Sequence, residues 1–315
     1  MQTIVLQNSL EDATWELNQA EQVLVLGHFD GIHQGHAHVI KRALQHGREH
    51  GLSVGMMTFH PHPKHVFGRT GYDRYLTPLR EKERILAEMG LDRLYVVDFD
   101  TDFALITPEQ FVHAVCRLGA KHVVCGFDYR YGHRGAGTAE NLKSAGHNCF
   151  TVDIVEPCDD EGVKVSSTRI RGCLLEGDMR QANHLLGRTY AIRGEVVHGE
   201  KRGRTIGYPT ANVHPEEPYF IPRLGVYAVR AFVRDKMYDS VMSIGLKPTF
   251  RSDMMEPVIE AHLFDFDEDI YGETMTVHLV EYLRSEKKFS SVHELIDQIQ
   301  RDAEAARQRL QSFPS

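Results

Sequence analysis

Gly27-His28-Phe29-Asp30-Gly31-Ile32-His33-Gln34-Gly35-His36 is the densest cluster of chemistry-bearing residues in the chain. An apolar run at 23–26 precedes it and a helix-like segment at 37–50 follows it. A buried strand therefore runs into a glycine-bearing turn, and the turn into a helix. Backbone N–H groups in such a turn, together with a helix N-terminus, make a site for phosphate. His33 and His36, three residues apart at the helix start, share one side and can donate hydrogen bonds to a phosphate that gains charge during reaction. No Gly-Lys-Ser/Thr follows, so this is not a P-loop. A His-x-x-His pair can also hold zinc, but no cysteine pair or His-Glu-x-x-His spacing supplies further ligands. Two ordinary surface histidines are the plainest alternative.

Three further segments of the first half gather functional side chains. Thr58-Phe59-His60-Pro61-His62-Pro63 follows a second strand, and its prolines force an irregular loop beside the first site. Gly126-Phe127-Asp128-Tyr129-Arg130-Tyr131-Gly132 follows another strand. Its aromatics either stack on a flat ring or pack into the core. Val165-Ser166-Ser167-Thr168-Arg169-Ile170-Arg171 reads as a Ser/Thr-capped helix start with two arginines in its first turn. Arginine there opposes the helix dipole unless an anion is present, which favours a bound phosphate over a purely structural cap.

The elements that must position these groups alternate. Strands are expected at 23–26, 53–59, 94–97 and 122–125, with helices at 37–50, 79–89 and 108–118 between them. Thr107 caps the last helix and Pro108 sits at its first position. Strand-helix alternation implies a parallel α/β sheet with ligands at the C-terminal strand ends. Near residue 187 the texture changes to short alternating segments at 190–197, 225–233, 240–244, 258–264 and 275–283, the pattern of an antiparallel barrel or sandwich. A helix from 292 to about 310 closes the chain. The boundary is expected near 183–187, giving domains 1–183 and 184–315.

At 315 residues, two domains are the better prior, and 42% apolar with 25% charged residues is ordinary for a globular protein. The net charge of −8 divides as −5 for residues 1–183 (19 basic, 24 acidic) and −3 for 184–315 (17 basic, 20 acidic). Neither half has the basic excess of a nucleic-acid binder. The five cysteines, at 116, 125, 149, 158 and 173, form no Cys-x-x-Cys pair and are expected to be reduced thiols of a cytoplasmic protein. The N-terminus lacks the pattern of a signal peptide, and no apolar run approaches membrane-spanning length.

In order and spacing the four segments resemble the bacterial bifunctional riboflavin kinase/FMN adenylyltransferases. The second half extends the likeness. Gly194-Glu195-Val196-Val197-His198-Gly199-Glu200-Lys201-Arg202-Gly203-Arg204-Thr205-Ile206-Gly207-Tyr208-Pro209-Thr210-Ala211-Asn212-Val213 matches the family's kinase signature nearly throughout. Gly225-Val226-Tyr227, Ser243 to Phe250, Glu260-Ala261-His262-Leu263-Phe264, Asp269-Ile270-Tyr271-Gly272 and Leu283-Arg284-Ser285-Glu286 follow in order. Two positions depart from the family pattern: His28, where a small or amide residue is common, and His60, where Asp is frequent.

The resemblance implies a Rossmann-like N-terminal nucleotidyltransferase domain with a parallel sheet, then a C-terminal antiparallel β-barrel riboflavin kinase domain with a terminal helix. It implies that riboflavin is phosphorylated by ATP to FMN and ADP, and that FMN is adenylylated by ATP to FAD and pyrophosphate, with Mg²⁺ in attendance. His33 and His36 would stabilise the α-phosphate, and Ser167, Thr168 and Arg171 would hold pyrophosphate. Gly27, Phe29, Asp30, Gly31 and Asp128 would line the nucleotide or flavin site. In the second half Gly199, Gly203, Arg204, Gly207 and Arg284 would meet the ligands, Thr210 and Asn212 would hold the metal, and Glu260 would be the base. The physical reading agrees: glycines let a loop approach phosphate, and Thr210 and Asn212 offer oxygens at alternate positions on one strand face. A turn at Thr210–Asn212 and a surface carboxylate at Glu260 are the bland alternatives. A chain retaining one activity and a flavin-carrying protein are the competing functions. The retained histidines, metal pair and base argue against both.

Overall fold

Five consecutive buried residues, Gln22–Leu26, demand a strand covered on both faces, and the fold of the first half answers that demand. The computed structural model describes residues 1–7, 15, 20–199, 203, 207–249 and 252–313. In chain order the first unit runs β1 (Gln2–Leu6), β2 (Gln22–Leu26), α1 (Gln34–His50), β3 (Ser53–His60), α2 (Pro63–Val66), α3 (Leu79–Met89), β4 (Arg93–Asp98), α4 (Pro108–Arg117) and β5 (Ala120–Gly126). A small hairpin, β6 (Arg130–Tyr131) and β7 (Gly137–Thr138), leads to α5 (Ala139–Ala145) and β8 (Thr151–Val155), and a second hairpin pairs β9 (Asp159–Asp160) with β10 (Val163–Lys164).

Six strands form one parallel sheet in the order β1-β4-β3-β2-β5-β8. Alternate residues of β2 feed two separate cores. Val23 and Val25 pack with Ile40, Ala43 and Ile85 on the α1/α3 face. Leu24 and Leu26 pack with Phe111, Tyr131 and Phe150 on the other. The helices start and stop where local chemistry directs. Thr107 and Gln110 complete a reciprocal capping box on α4, with Pro108 at the first turn. Gly51 ends α1 in the left-handed region, at φ 66°.

Cys116, in α4, and Cys149, just before β8, are joined as a disulfide with their Cα atoms 6.0 Å apart. This corrects the expectation of five free thiols. Both residues pack against the same core cluster, a proximity that a separation of 33 residues does not reveal. Cys125, Cys158 and Cys173 are free.

Contacts divide the chain into residues 1–167 and 168–315. Helices α6 (Ser167–Glu176) and α7 (Met179–Leu186) precede six strands: β11 (Tyr190–Val197), β12 (Ala211–Pro215), β13 (Gly225–Val233), β14 (Lys236–Thr249), β15 (Ser252–Leu263) and β16 (Thr274–Arg284). These close into an antiparallel barrel in the order β11-β12-β15-β14-β13-β16, so the barrel rather than the sandwich alternative is realised. Closure leaves no free sheet edge. The terminal helix α8 (Val292–Gln311) seats Ala306 and Leu310 on Val226, Val241 and Val280 of the barrel. Arg284 grips Asp302 of that helix through Nε (2.8 Å) and Nη2 (2.6 Å).

Buried Asn183 of α7 completes the barrel's first strand. Its Oδ1 accepts from Tyr190 N–H at 2.7 Å, and its Nδ2 donates to Leu279 O at 2.9 Å. Asn183→Leu keeps the bulk and orphans both backbone groups. Urea unfolding of the barrel unit should show a loss of about 2–4 kcal/mol. A loss below about 0.5 kcal/mol, the range of an ordinary surface change, would deny Asn183 this role.

Candidate functional site

The turn after β2 takes a backbone path that side chains seldom follow. Phe29 (φ 53°), Gly31 (φ 93°) and Ile32 (φ 39°) all lie at positive φ, which for β-branched Ile32 is a costly position. Five hydrogen bonds hold the path. Lys82 Nζ donates to His28 O (2.7 Å) and to Thr58 Oγ1 (3.0 Å), while Thr58 Oγ1 donates to the same His28 O (2.9 Å). Thr77 N–H donates to Asp30 Oδ1 at 3.1 Å, and Ser167 Oγ donates to Asp30 O at 2.7 Å. Asp30, expected to meet ligand, is buried and serves the turn through both its side chain and its carbonyl.

His33 is the N-cap of α1, and its Nδ1 accepts from His36 N–H at 3.3 Å. With Nδ1 as acceptor, the ring proton of a neutral His33 sits on Nε2, the tautomer that can donate to an anion. The His33 and His36 rings stack at 3.6 Å, and the edge of His36 meets Phe29 at 4.9 Å. No acidic side chain occupies the first turn of α1, so its positive end is open to an anion. A Cβ on Gly27 would lie 2.7 Å from the Phe29 ring, so the turn closes only around glycine there.

The loop after β3 reaches the same place. His62 caps α2 and lies 3.9 Å, ring to ring, from His28, while Tyr75 flanks both His28 and His60. Burial, and then the Lys82 ammonium, hold the His60 imidazole below its ordinary pKa. The 126–132 segment divides. Tyr131 is buried and Tyr129 packs against the core, as the structural alternative for these aromatics expects. Phe127 is exposed, beneath Lys164, and Asp128 is exposed in an ion pair with Lys164 of β10.

Ser167 opens α6 and is tied to the phosphate turn through Asp30. Thr168 is exposed, and Arg171 lies over the Phe220 ring at 5.1 Å within the second unit.

In the barrel, Ala211 and Val213 face inward and Asn212 outward, where it stands opposite Glu260 of β15. Ser243 of β14 flanks Glu260 on the other side, and Lys247 Nζ donates to Glu260 Oε1 at 3.1 Å. A Cβ on Gly199 would sit 2.2 Å from the Asn212 amide, so glycine lets that loop lie directly against the side chain. Gly203 O accepts from Tyr208 N–H at 2.9 Å, Gly207 lies in the turn just before Tyr208, and Arg204 is outside the described residues. Thr210 borders a cleft of about 450 Å³ shared with Ala211, Ala261, Leu263, Asp269 and Tyr271. Its neighbour Pro209 is fixed by the His262 ring, whose Nδ1 lies 2.8 Å from Pro209 O. Asn212 and Glu260 are thus cross-strand neighbours, and Thr210 and Asn212 carry oxygens of the kind that Mg²⁺ prefers. Arg284 is committed to Asp302, with Nη1 donating to Ser285 O.

Residues 16–169 match the family model for FAD synthetase, and residues 186–310 match that for riboflavin kinase. The bifunctional riboflavin kinase/FMN adenylyltransferase of Bacillus subtilis is 44% identical over 91% of this chain and 92% of its own. Those of Listeria monocytogenes (41%, covering 98% of each chain) and Escherichia coli (38%, covering 93% and 95%) are similar throughout. The chain belongs to the bifunctional riboflavin kinase/FMN adenylyltransferase family. A crystal structure described as a macrolide-efflux protein of Streptococcus pneumoniae shares the fold, with a TM-score of 0.87, 38% identity and coverage of 96% of this chain and 99% of its own. Among the described residues no helix is long and apolar enough to cross a membrane.

Sequence reasoning missed Lys82, Thr58 and Thr77 in the turn, and Lys247 beside Glu260. Lys82 had a signal. The apolar stripe of α3 runs Leu79, Ile85, Leu86 and Met89, and a lysine fills its gap. Burial pulls the Lys82 ammonium down to about 8, against the counteracting charge of Asp30. From there to about pH 10.4 the unfolded chain holds a proton the folded chain has released, so stability rises with pH. Wild type should therefore gain stability relative to Lys82→Met between about pH 8 and about pH 10 in urea unfolding. A pH-independent difference would show that Lys82 titrates like an exposed lysine.

Proposed function

We propose that the two units perform consecutive steps of flavin cofactor synthesis, each with the residues assembled above. The barrel transfers the γ-phosphoryl group of ATP to the ribityl 5′-hydroxyl of riboflavin, giving FMN and ADP. The first unit lets the FMN phosphate attack the α-phosphorus of a second ATP, giving FAD and pyrophosphate. The observation that carries the reading is the stacked His33–His36 pair at a helix N-terminus whose first turn holds no acidic residue, on a turn held in a strained path. That arrangement suits a centre whose negative charge grows. The reading assigns both ATP-consuming reactions to the cytoplasm.

In adenylyl transfer the attacking phosphate is already a nucleophile, so no covalent enzyme intermediate forms. Nε2–H of His33 and the His36 ring stabilise the α-phosphate in the five-coordinate state. Ser167, Thr168 and Arg171 receive the pyrophosphate. Gly27, Phe29 and Gly31 shape the floor of the nucleotide site. Asp128 contributes at its rim, in competition with Lys164. In the kinase, Glu260 accepts the proton of the ribityl hydroxyl, and Lys247 keeps its carboxylate oriented. Thr210 and Asn212 would hold Mg²⁺, which when bound neutralises phosphate charge. Gly199, Gly203, Gly207 and Arg204 belong to the loop that covers the phosphates. Arg284 positions β16 through Asp302, and any ligand contact is shared with that pair.

Two variants separate the steps. His36→Ala should slow FAD formation from FMN about 10²–10³-fold while leaving riboflavin phosphorylation intact. Loss of FMN formation in the folded variant would defeat the two-site assignment. Glu260→Gln keeps shape and polarity but accepts no proton, and should cut single-turnover phosphorylation about 10²–10⁴-fold with supplied FMN still converted to FAD. A rate within a few-fold of wild type would remove Glu260 as base.

A further inference from the structure

Helix α1 carries a second polar cluster, about 15 Å along its axis from His36 at 1.5 Å per residue. His46 of α1, His122 of β5 and Asp153 of β8 each offer a ligand atom, and these atoms all lie within 4.8 Å of one another. None of the three takes part in the turn or in the flavin chemistry described above. His122 is 3% exposed, and its Nδ1 lies 2.6 Å from Thr151 Oγ1. Its Nε2 faces Asp153 Oδ2 at 3.5 Å, the outer limit of hydrogen-bond reach. The Thr151 hydroxyl can accept from Nδ1–H or donate to Nδ1; in the first case Nε2 turns a lone pair toward the half-buried Asp153 carboxylate, and a cation between them satisfies both.

We infer that His46, His122 and Asp153 form a binding site for a divalent transition-metal ion of the zinc type. Two imidazoles and one carboxylate suit zinc, cobalt or nickel and are poor partners for Mg²⁺. The Thr151 contact supplies the outer hydrogen bond that commonly orients a ligating imidazole. Burial, followed by neighbouring positive groups, favours the neutral, ligating form of both rings. The charged groups facing the cluster are known. Arg42 Nε lies 2.5 Å from Asp153 Oδ2, His50 stacks on His46 at 4.1 Å, Glu49 acts on His46, and Lys143 lines the cleft beside Asp153. Arg42 is thus the resident cation that the metal displaces; its side chain is 41% exposed and can turn into water. The His46 and His122 rings stack at 3.5 Å and 3°, so His46, on the helix surface, rotates out of the stack to ligate. The bound ion would join α1 to β5 and β8, fixing the helix whose other end presents His33 and His36.

The test is titration of the untagged full chain with Zn²⁺ by equilibrium dialysis and with Co²⁺ by visible absorption. One equivalent should bind, be lost in His46→Ala and in Asp153→Asn, and remain in His62→Ala. Arg42→Ala should tighten it at least several-fold, because the competing guanidinium is gone. That gain cannot come from misfolding, which would weaken binding. No binding, binding that survives His46→Ala or disappears in His62→Ala, or an Arg42→Ala variant that binds no better than wild type, would each overturn the site. The last set of outcomes would move the ion to the histidine-rich loops around the phosphate turn or leave His122 paired with Asp153 alone.

Discussion

A buried ammonium holds the turn after β2 in shape. Lys82 reaches from α3 to the carbonyl of His28 and the hydroxyl of Thr58, and so joins a helix, a strand and the phosphate turn at one point. The turn needs such a tie. Positive φ at Phe29 and Ile32 costs free energy, and the path persists because the surroundings over-determine it. A neutral donor could satisfy the carbonyl, but a charged one forms the stronger bond. Its placement has a cost: the ammonium is desolvated, and Asp30 offsets only part of that penalty.

From that constraint the geometry of the histidines follows. The turn delivers His33 to the N-cap position, the cap bond assigns its ring proton to Nε2, and the stack aligns His36 beside it. Ser167 adds a bond from the far end of the first unit, so the start of the Ser-Thr-x-x-Arg helix and the turn share Asp30 as a common anchor. Chemistry at this site needs donors fixed before the phosphate gains charge, because reorganisation during the reaction would consume the gain. The hydrogen-bonded turn supplies that rigidity through Lys82, Thr58 and Thr77 as well as Ser167.

Much of this architecture was legible in the residues. The apolar runs of β2 and β5 and the capped helix α4 appear where strand-helix alternation puts them, and Leu79–Met89, Tyr190–Val197 and Gly225–Val233 match their expected bounds. Edge strands β1 and β8 were not expected, because partly exposed or short segments carry little periodicity, and β12 was expected only as the strand face carrying Thr210 and Asn212. The barrel could not be told from a sandwich by pattern, since closure depends on pairing β11 with β16 across 80 residues of chain. At the sites, residues adjacent in sequence were easy to group. Lys82, Thr77 and Lys247 act across the fold, and the Cys116–Cys149 pair is equally non-local.

The two sites solve the same problem by different backbones. In the parallel sheet, donors gather where strand β2 ends and a helix begins, so the helix dipole and turn amides supply the positive field. An antiparallel barrel has no such helix start at its strand ends. Its site is built from cross-strand rungs instead: Asn212 beside Glu260, Glu260 beside Ser243, with Gly199 allowing a loop to lie against Asn212. Rungs fix side-chain spacing but provide little positive charge, so on the proposed reading phosphate there calls for a metal ion, whereas the turn after β2 can draw on its own backbone. Lys247, reaching diagonally to Glu260, is the one cation among the described residues that the barrel brings to this carboxylate. It orients the carboxylate without occupying the rung on which Asn212 stands.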